Sequence, residues 1–215
     1  MSNIFFIHYA KYFILLSALV GFFYSQKLKS FNVKILPHFL IIVFISECVG
    51  SYLRLIEYLK TSSHLYIYFL LPLQILFYLW LIGIKILEKP KISYGLISLF
   101  LVVFMIEIII GENNPNYIFT KSFGLGGILL SIMFLLFILK ITRDEKVINF
   151  YQNINFWICI GVAVYYTFSF PFYTYYNILL VKYKDVFNLY RNIVHHLSLS
   201  MYLLFIIGFI WSKKI

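Results

Sequence analysis

The chain has 215 residues, of which 62% are hydrophobic and only 12% are charged. A soluble domain carries about a quarter charged residues, and a globule of this size could not bury so much apolar surface. The formal net charge of +10 would suit nucleic acid, but the Lys and Arg residues are spread between apolar runs. We therefore expect the lipid bilayer as partner, with cations at its headgroups, and no nucleic acid.

Seven apolar stretches are long enough to cross a bilayer, which takes about 20 residues of helix. Their connections are short, and none could hold a soluble domain. The sequence therefore predicts an all-α integral membrane fold, a bundle of seven transmembrane helices in which residues 1–215 form a single transmembrane domain. The stretches are 4–25, 35–58, 65–84, 92–110, 122–139, 154–180 and 193–211.

The distribution of Lys and Arg predicts the orientation, because cytoplasmic connections carry more of them than external ones. Eleven of the 18 fall on the side of the C-terminus, and seven fall on the side of the N-terminus. The C-terminal side includes Lys213 and Lys214, directly after Trp211. We therefore expect the N-terminus outside and the C-terminus in the cytoplasm.

The second stretch carries a polar stripe. Ionisable groups near the centre of a membrane helix are costly, so they suggest function. One helix face, which must point into the bundle, carries Glu47, Gly50, Ser51, Arg54 and Tyr58. Glu57 follows Arg54 by three residues and can pair with it. The stripe is either a structural ion pair or part of a ligand site, and Glu47 is the stronger ligand candidate.

Four more polar residues are candidates for a site. Gln74 lies near mid-depth in the third stretch, where it can hydrogen-bond Glu47. Glu107 lies near the outer end of the fourth, and the simpler interpretation is a hydrated carboxylate at the interface. His195 and His196 begin the seventh stretch about 100° apart, so they cannot readily hold one metal ion. They either cap the helix entry or sense pH.

The sixth stretch has a long aromatic run, residues 165–177, interrupted by Pro171. Proline removes a backbone hydrogen bond, so we expect a kink. The run is too long to serve only as an interfacial belt, and some of its rings, Tyr173 among them, should line a cavity. Gly127 and Ser131 of the fifth stretch form a small-xxx-small pair that predicts helix packing.

These polar groups are distributed unevenly across the predicted membrane. Glu47 and Gln74 lie near the midplane and the others in the outer half, while the inner halves are almost entirely Ile, Leu, Phe and Val. The asymmetry predicts a polar, aromatic-lined cup open to the outside. The candidate ligand-binding residues are Glu47, Arg54, Glu57, Gln74, Glu107, Tyr173, His195 and His196.

The cup favours a receptor-like or accessory sensory protein, in which a bound small molecule, lipid or proton shifts the helices. The cytoplasmic face is short, so a signal would need a separate cytoplasmic signalling partner. A small proton-coupled transporter using Glu47 is the alternative, although no internal repeat is visible. An intramembrane enzyme acting on lipid is a second alternative, which the absence of His-Glu-x-x-His and Gly-x-Ser-x-Gly motifs disfavours.

Two known seven-helix classes do not fit the sequence. Retinal proteins need a Schiff-base lysine in the seventh helix, and none lies between Ile193 and Trp211. Sugar carriers of the Pro-Gln-loop type need that dipeptide, whereas Leu73 separates Pro72 from Gln74 here. No motif predicts a metal or another cofactor.

Two segments in the last third of the chain carry a resemblance. They are Asn155–Gly161, with the sequence NFWICIG, and Met201–Lys214, with the sequence MYLLFIIGFIWSKK. They resemble segments of a loose group of small seven-helix bacterial inner-membrane proteins. The resemblance implies a multi-pass protein of the bacterial cytoplasmic membrane with an accessory or sensory role, and it carries over no catalytic residue.

Overall fold

The structure, a computed structural model, describes residues 2–111, 120–143 and 150–212. It is 91% helical, and no strand occurs within those ranges. Lys146, Lys213 and Lys214, which entered the orientation count, lie outside them.

The first two predicted stretches form three helices. Helix α1 spans Ser2–Phe23, the short helix α2 spans Ser25–Ser30, and α3 spans Leu36–Leu55. Helix α3 ends earlier than the predicted stretch 35–58 because Glu57 adopts φ 63°, a left-handed conformation that stops a helix. The Tyr58 N–H then donates to the Leu53 carbonyl oxygen at 2.9 Å, which satisfies one of the last carbonyls of α3.

The third predicted stretch is helical from Leu59 to Ile86 but contains two π-helical segments. Helix α4 (Leu59–His64) runs into a π-helical segment, Leu65–Leu70, then into α5 (Leu71–Trp80) and a second π-helical segment, Leu81–Ile86. The first π-helical segment ends two residues before Pro72, whose missing N–H and bulky ring disrupt a regular α-helical ladder.

The remaining helices follow in chain order. They are α6 (Pro90–Gly111), α7 (Thr120–Arg143), α8 (Ile154–Thr174), α9 (Tyr176–Lys182) and α10 (Lys184–Trp211). The prediction of a single helix over 154–180 was wrong, because the chain breaks at Tyr175, four residues after Pro171. Helix α10 starts well before residue 193 because its first turns are polar and fall outside an apolar window.

The described helices pack as a ring. Helix α1 contacts α3 and α10, α3 contacts the start of the 59–86 segment, and α5 contacts α7. Helix α7 packs along α8, and α8 along α10, which closes the ring against α1. Helix α6 lies outside the ring, against α5, α7 and the second π-helical segment.

Six helices are long and apolar enough to cross a membrane, within the residues searched. They are Leu36–Leu55, Thr61–Ile86, Pro90–Ile110, Thr120–Arg143, Ile154–Thr174 and Lys184–Trp211. In α1, the part whose side chains the structure describes is a shorter apolar helix, Lys11–Phe23. The chain is therefore an all-α, multi-pass membrane bundle.

Helix α8 is held against α7 at very close range. A Cβ added to Gly127 would lie 2.6 Å from the Cβ of Phe170 and 3.1 Å from the carbonyl oxygen of Tyr166. One turn along, the hydroxyl oxygens of Ser131 and Thr167 are 2.7 Å apart. Small residues let the two backbones approach, and a hydrogen bond then joins them, as is common between membrane helices.

Candidate ligand-binding site

A cavity of about 520 Å³ lies inside the ring. Volumes of roughly 300–1,000 Å³ are typical of small-molecule sites in proteins. The helices of the ring and the short helices α4 and α9 all contribute side chains to its wall. Its polar lining residues are Lys11, Glu47, Arg54, Ser62, Ser63, Tyr66, Gln74, Tyr165, Tyr173, Tyr176, Arg191, His195, Ser198 and Tyr202.

The cavity occupies one half of the bundle. Its wall comes from the C-terminal halves of α3 and α8 and from the N-terminal halves of Thr61–Ile86 and α10, which are the ends that meet on one side. The other half is closed by packed rings and aliphatic side chains. Phe39 stacks on Phe77 at 3.6 Å between centroids, and Leu40, Phe205 and Phe209 are fully buried.

A hydrogen-bonded chain joins the carboxylate and one guanidinium of the cavity. The Tyr66 hydroxyl donates to Oε2 of Glu47 at 2.5 Å and accepts from Nη2 of Arg54 at 2.9 Å. The Arg54 guanidinium also lies over the Tyr66 ring, 5.1 Å from its centroid. Tyr66 therefore connects two opposite charges that the sequence placed on α3 but did not connect.

Gly50 makes this arrangement possible. A Cβ at this position would lie 2.6 Å from Cε2 of Tyr66, so any larger residue would push the ring away from α3. The Gly50 carbonyl oxygen accepts from Nε of Arg54 at 3.3 Å and from Oγ of Ser62 at 2.9 Å. The helical spacing of the sequence predicted a polar stripe here, and the close approach of α4 and Tyr66 explains why it contains a glycine.

Two further cations line the cavity, one from α1 and one from α10. Lys11 of α1 is only 8% exposed, and its ammonium group attracts the Glu47 carboxylate. Arg191 of α10 lies over the Phe187 ring, 5.9 Å from its centroid. Burial raises the pKa of the Tyr176 phenol beside Arg191, so Tyr176 is a neutral hydrogen-bond donor at pH 7.

Tyrosine hydroxyls continue the polar surface away from these charges. The hydroxyls of Tyr165 and Tyr173 are 3.1 Å apart. Nearby, the Tyr166 hydroxyl donates to Oε1 of Gln74 at 3.2 Å. Gln74 is thus held by α8, whereas the sequence had offered Glu47 as one available partner. Rings of the aromatic run do line the cavity, while Phe168, in the same run, is 62% exposed.

The cavity brings together five of the eight predicted site residues: Glu47, Arg54, Gln74, Tyr173 and His195. His195 shares its helix face with Ser198 and Tyr202, and all three line the cavity. His196 follows His195 in α10 and lies on the exposed side of the helix. Glu57 lies beyond the end of α3, so the helical spacing that would pair it with Arg54 is lost.

The environment of the Glu107 side chain differs from the predicted one. Its side chain is 2% exposed, so a hydrated carboxylate at the interface was the wrong interpretation. Its carboxylate accepts hydrogen bonds from the backbone N–H groups of Lys121 at 3.0 Å and Ser122 at 2.6 Å, in the first turn of α7. A carboxylate there satisfies amides that have no helical partner and complements the helix dipole. Glu107 thus fastens α6 to α7.

Sequence reasoning missed three central residues of the cavity. Lys11 was counted only as a topogenic charge, and Arg191 fell outside the predicted seventh stretch. Tyr66 is one of 19 tyrosines and had no feature that set it apart. The one available signal was the position of Lys11, a cation well inside an apolar helix, which by itself suggests an interior partner.

Within the described side chains, no three His, Cys, Asp or Glu residues come together as metal ligands would. Comparison of the chain with protein-family models, curated proteins and solved structures finds no match. The class that the fold and the cavity define is therefore a multi-pass helical membrane protein with an internal polar cavity.

Proposed function

We propose that this protein is a receptor-like or accessory sensory protein of the bacterial inner membrane, which binds a small molecule in the cavity. In this proposal the chain crosses the membrane seven times, and α1 is the first of its transmembrane helices. Helix α1 has 22 residues, about 33 Å of helix, and it completes the ring of spanning helices. The Lys and Arg count supports an external N-terminus, and the cavity then opens outwards.

The observation that carries this proposal is the difference between the two halves of the bundle. A site open on one side, above a closed and tightly packed half, favours binding and signalling over passage. Transport requires the substrate to reach both sides, and the stacked Phe39 and Phe77 rings lie in the closed half.

Helix α10 provides a route by which binding could be sensed on the far side. It contributes Arg191, His195 and Tyr202 to the cavity and continues to Trp211. There the Nζ of Lys27 donates to the carbonyl oxygens of Phe209 and Ile210, each at 3.0 Å. A shift of α10 would therefore reach α2, where a cytoplasmic partner protein could detect it.

Ligand-dependent thermal unfolding tests the proposal. Purified wild-type protein in nanodiscs would be screened with small polar, aromatic and amphipathic compounds. We expect compounds that raise the unfolding midpoint of the wild type to lose this effect in Val194→Phe, because Val194 lines the cavity and the larger ring fills it. The matched control is Val49→Phe, the same change at a position that is 45% exposed on α3.

Two results would contradict the proposal. One is stabilisation that persists unchanged in Val194→Phe, because the ligand then binds elsewhere. The other is a stabilising ligand that leaves backbone hydrogen exchange at the end of α10 unchanged, because no signal then crosses the bundle.

A proton-coupled transporter is the second candidate, and the Glu47 carboxylate favours it. Glu47 is a titratable group inside the cavity, hydrogen-bonded to Tyr66 and attracted by Lys11. This candidate requires the closed half to open. Uptake of a stabilising ligand into proteoliposomes under a pH gradient, lost in Glu47→Gln, would replace the sensory proposal with this one.

A further inference from the structure

The charges that line the cavity do not balance. Three cations, Lys11, Arg54 and Arg191, come from three different helices of the ring. Among the lining residues that the structure describes, Glu47 is the one carboxylate, and through Tyr66 it is already joined to Arg54. Without counting His195, the wall carries two more positive than negative charges.

An excess of positive charge in a partly buried site is costly in the absence of a counter-charge. Charges removed from water are stabilised only by opposite charges and hydrogen bonds, and their attraction grows as the surrounding dielectric constant falls. Guanidinium groups also match the geometry of carboxylate and phosphate oxygens, which they bind with two parallel hydrogen bonds. The cavity wall is therefore suited to an oxyanion.

Part of the wall is apolar. Aliphatic side chains from several helices line it beside the charges, among them Ile67, Leu70, Val194 and Met201. A free inorganic anion would leave this surface uncovered, whereas an apolar chain would bury it favourably. The wall is therefore suited to a ligand with two parts, one charged and one apolar.

The volume limits the size of the ligand. At about 30 Å³ for each molecule of liquid water, the cavity of about 520 Å³ holds the equivalent of about 17 waters. A methylene group occupies nearly the volume of one water. A single chain of about 12 carbons with its headgroup fits within this space, whereas a lipid with two full chains would extend well beyond it.

We propose that the cavity binds a single-chain amphiphile with an oxyanion headgroup, the headgroup facing Lys11, Arg54 and Arg191 and the chain lying along Leu70, Val194 and Met201. This inference rests on the proposed function, because it names the ligand class of the same site. A carboxylate and a phosphate ester share the required chemistry, and the experiment distinguishes them.

The test compares ligands that have the same chain and different headgroups. Full-length protein in phosphatidylcholine nanodiscs would be titrated at pH 8 with dodecanoate, dodecyl phosphate, dodecanol or dodecyltrimethylammonium, with the unfolding midpoint as readout. Acetate and inorganic phosphate would test the headgroup alone. We expect a saturable rise with one or both anionic amphiphiles, and none with the neutral or cationic amphiphile or with the free anions.

Charge variants then locate the headgroup. We expect Arg191→Gln and Lys11→Gln each to weaken binding of the anionic amphiphile at least tenfold, and Arg191→Lys to retain more of it than Arg191→Gln. Lys91→Gln is the matched control, because it removes one positive charge from an exposed position in α6, outside the cavity. Arg54 is left intact because it holds Tyr66 and Gly50 in place.

The outcomes separate this inference from the proposed function. If dodecanol or dodecyltrimethylammonium stabilises as well as the anions, and Val194→Phe removes the effect, the cavity binds ligand but the oxyanion class is wrong. Equal losses in Lys91→Gln and Arg191→Gln would show attraction to overall charge and would also overturn it. If no compound of any class depends on Val194, both proposals fall.

Discussion

At the scale of single residues, Tyr66 organises the charged end of the cavity. Its hydroxyl is both the donor to Glu47 and the acceptor from Arg54, so one oxygen links two opposite charges that both lie on α3. Phenylalanine at this position would keep the ring beside Gly50 and remove only the link. The residue thus separates the contribution of hydrogen bonding from that of packing.

We predict that Tyr66→Phe lowers the free energy of unfolding by about 1–3 kcal/mol, because the half-buried Glu47 carboxylate loses its hydrogen-bond donor, whereas the exposed Arg54 can be solvated instead. Chemical denaturation in mild detergent, followed by the accessibility of the buried Cys159 thiol, would measure the change. Tyr52→Phe serves as control, since Tyr52 is 62% exposed on the neighbouring helix α3. An equal loss in both variants would refute a specific role for the Tyr66 hydroxyl.

At the level of residues, the sequence led to the cavity where a single residue carries an obvious cost, and Glu47 lines the cavity. Glu47 was identified because a carboxylate deep in an apolar helix needs a reason to be there. Tyr66 could not be identified in this way, because a tyrosine in a membrane protein is ordinary. The pairing of Arg54 with Glu57 failed because it assumed that α3 continues past Leu55, and a single left-handed residue ends it.

At the scale of elements, helix packing depends on where small residues face a neighbour. Gly127 allows α7 and α8 to touch along their backbones, while Gly95 of α6 has nothing within 4 Å of where a Cβ would lie. In the sequence both glycines lie in apolar helices, and only Gly127 belongs to a small-xxx-small pair. The pattern therefore indicated the contact, and only the structure shows its partner.

We predict that Gly127→Ala lowers the free energy of unfolding by about 1–3 kcal/mol, because overpacking forces the two backbones apart. Gly95→Ala is the matched control and should be neutral or slightly stabilising, because alanine has the higher helix propensity. The midpoints of steric-trap or denaturant unfolding would report both. Equal tolerance of the two changes would mean that α7 and α8 are not in close contact at Gly127.

Element boundaries were the least predictable feature. Hydropathy found each apolar stretch but not the helix ends, because polar turns such as Lys184–Arg191 belong to a helix and still fall outside an apolar window. The effect of Pro171 was likewise foreseen as a kink, whereas the structure separates α8 from α9 at Tyr175. Local helix propensity does not reveal that Phe172 and Tyr176 pack against Phe187. This packing determines the position of the break between α8 and α9.

At the scale of the whole molecule, the ring explains why the polar residues are so scattered in the sequence. Lys11, Glu47, Tyr173 and Arg191 meet because the helices that carry them surround one cavity. The uneven polarity of the two membrane halves was visible in the sequence, and it predicted a cup at one end. The order of helices around the ring was not visible, because apolar faces against lipid and against protein look alike.

The orientation of the ring is open to a direct test. We predict that Thr61→Cys reacts with a membrane-impermeant maleimide in intact cells and that Ser30→Cys reacts only after permeabilisation. Both positions are exposed and lie at opposite ends of the bundle. A background with Cys48 and Cys159 replaced by alanine removes the native thiols. Labelling in the reverse order would turn the cavity towards the cytoplasm.

During synthesis the ring can close only late, because α1 packs against α10 at the other end of the described chain. Contacts between segments so distant in sequence form after most of the chain has entered the membrane. Until then Lys11 has no finished interior to occupy and must be sheltered by the insertion machinery or by water. A ribosome that stalls before α10 would release a bundle without Arg191 and His195. In that bundle the Lys11 side chain would face lipid, and the incomplete ring would be accessible to membrane proteases.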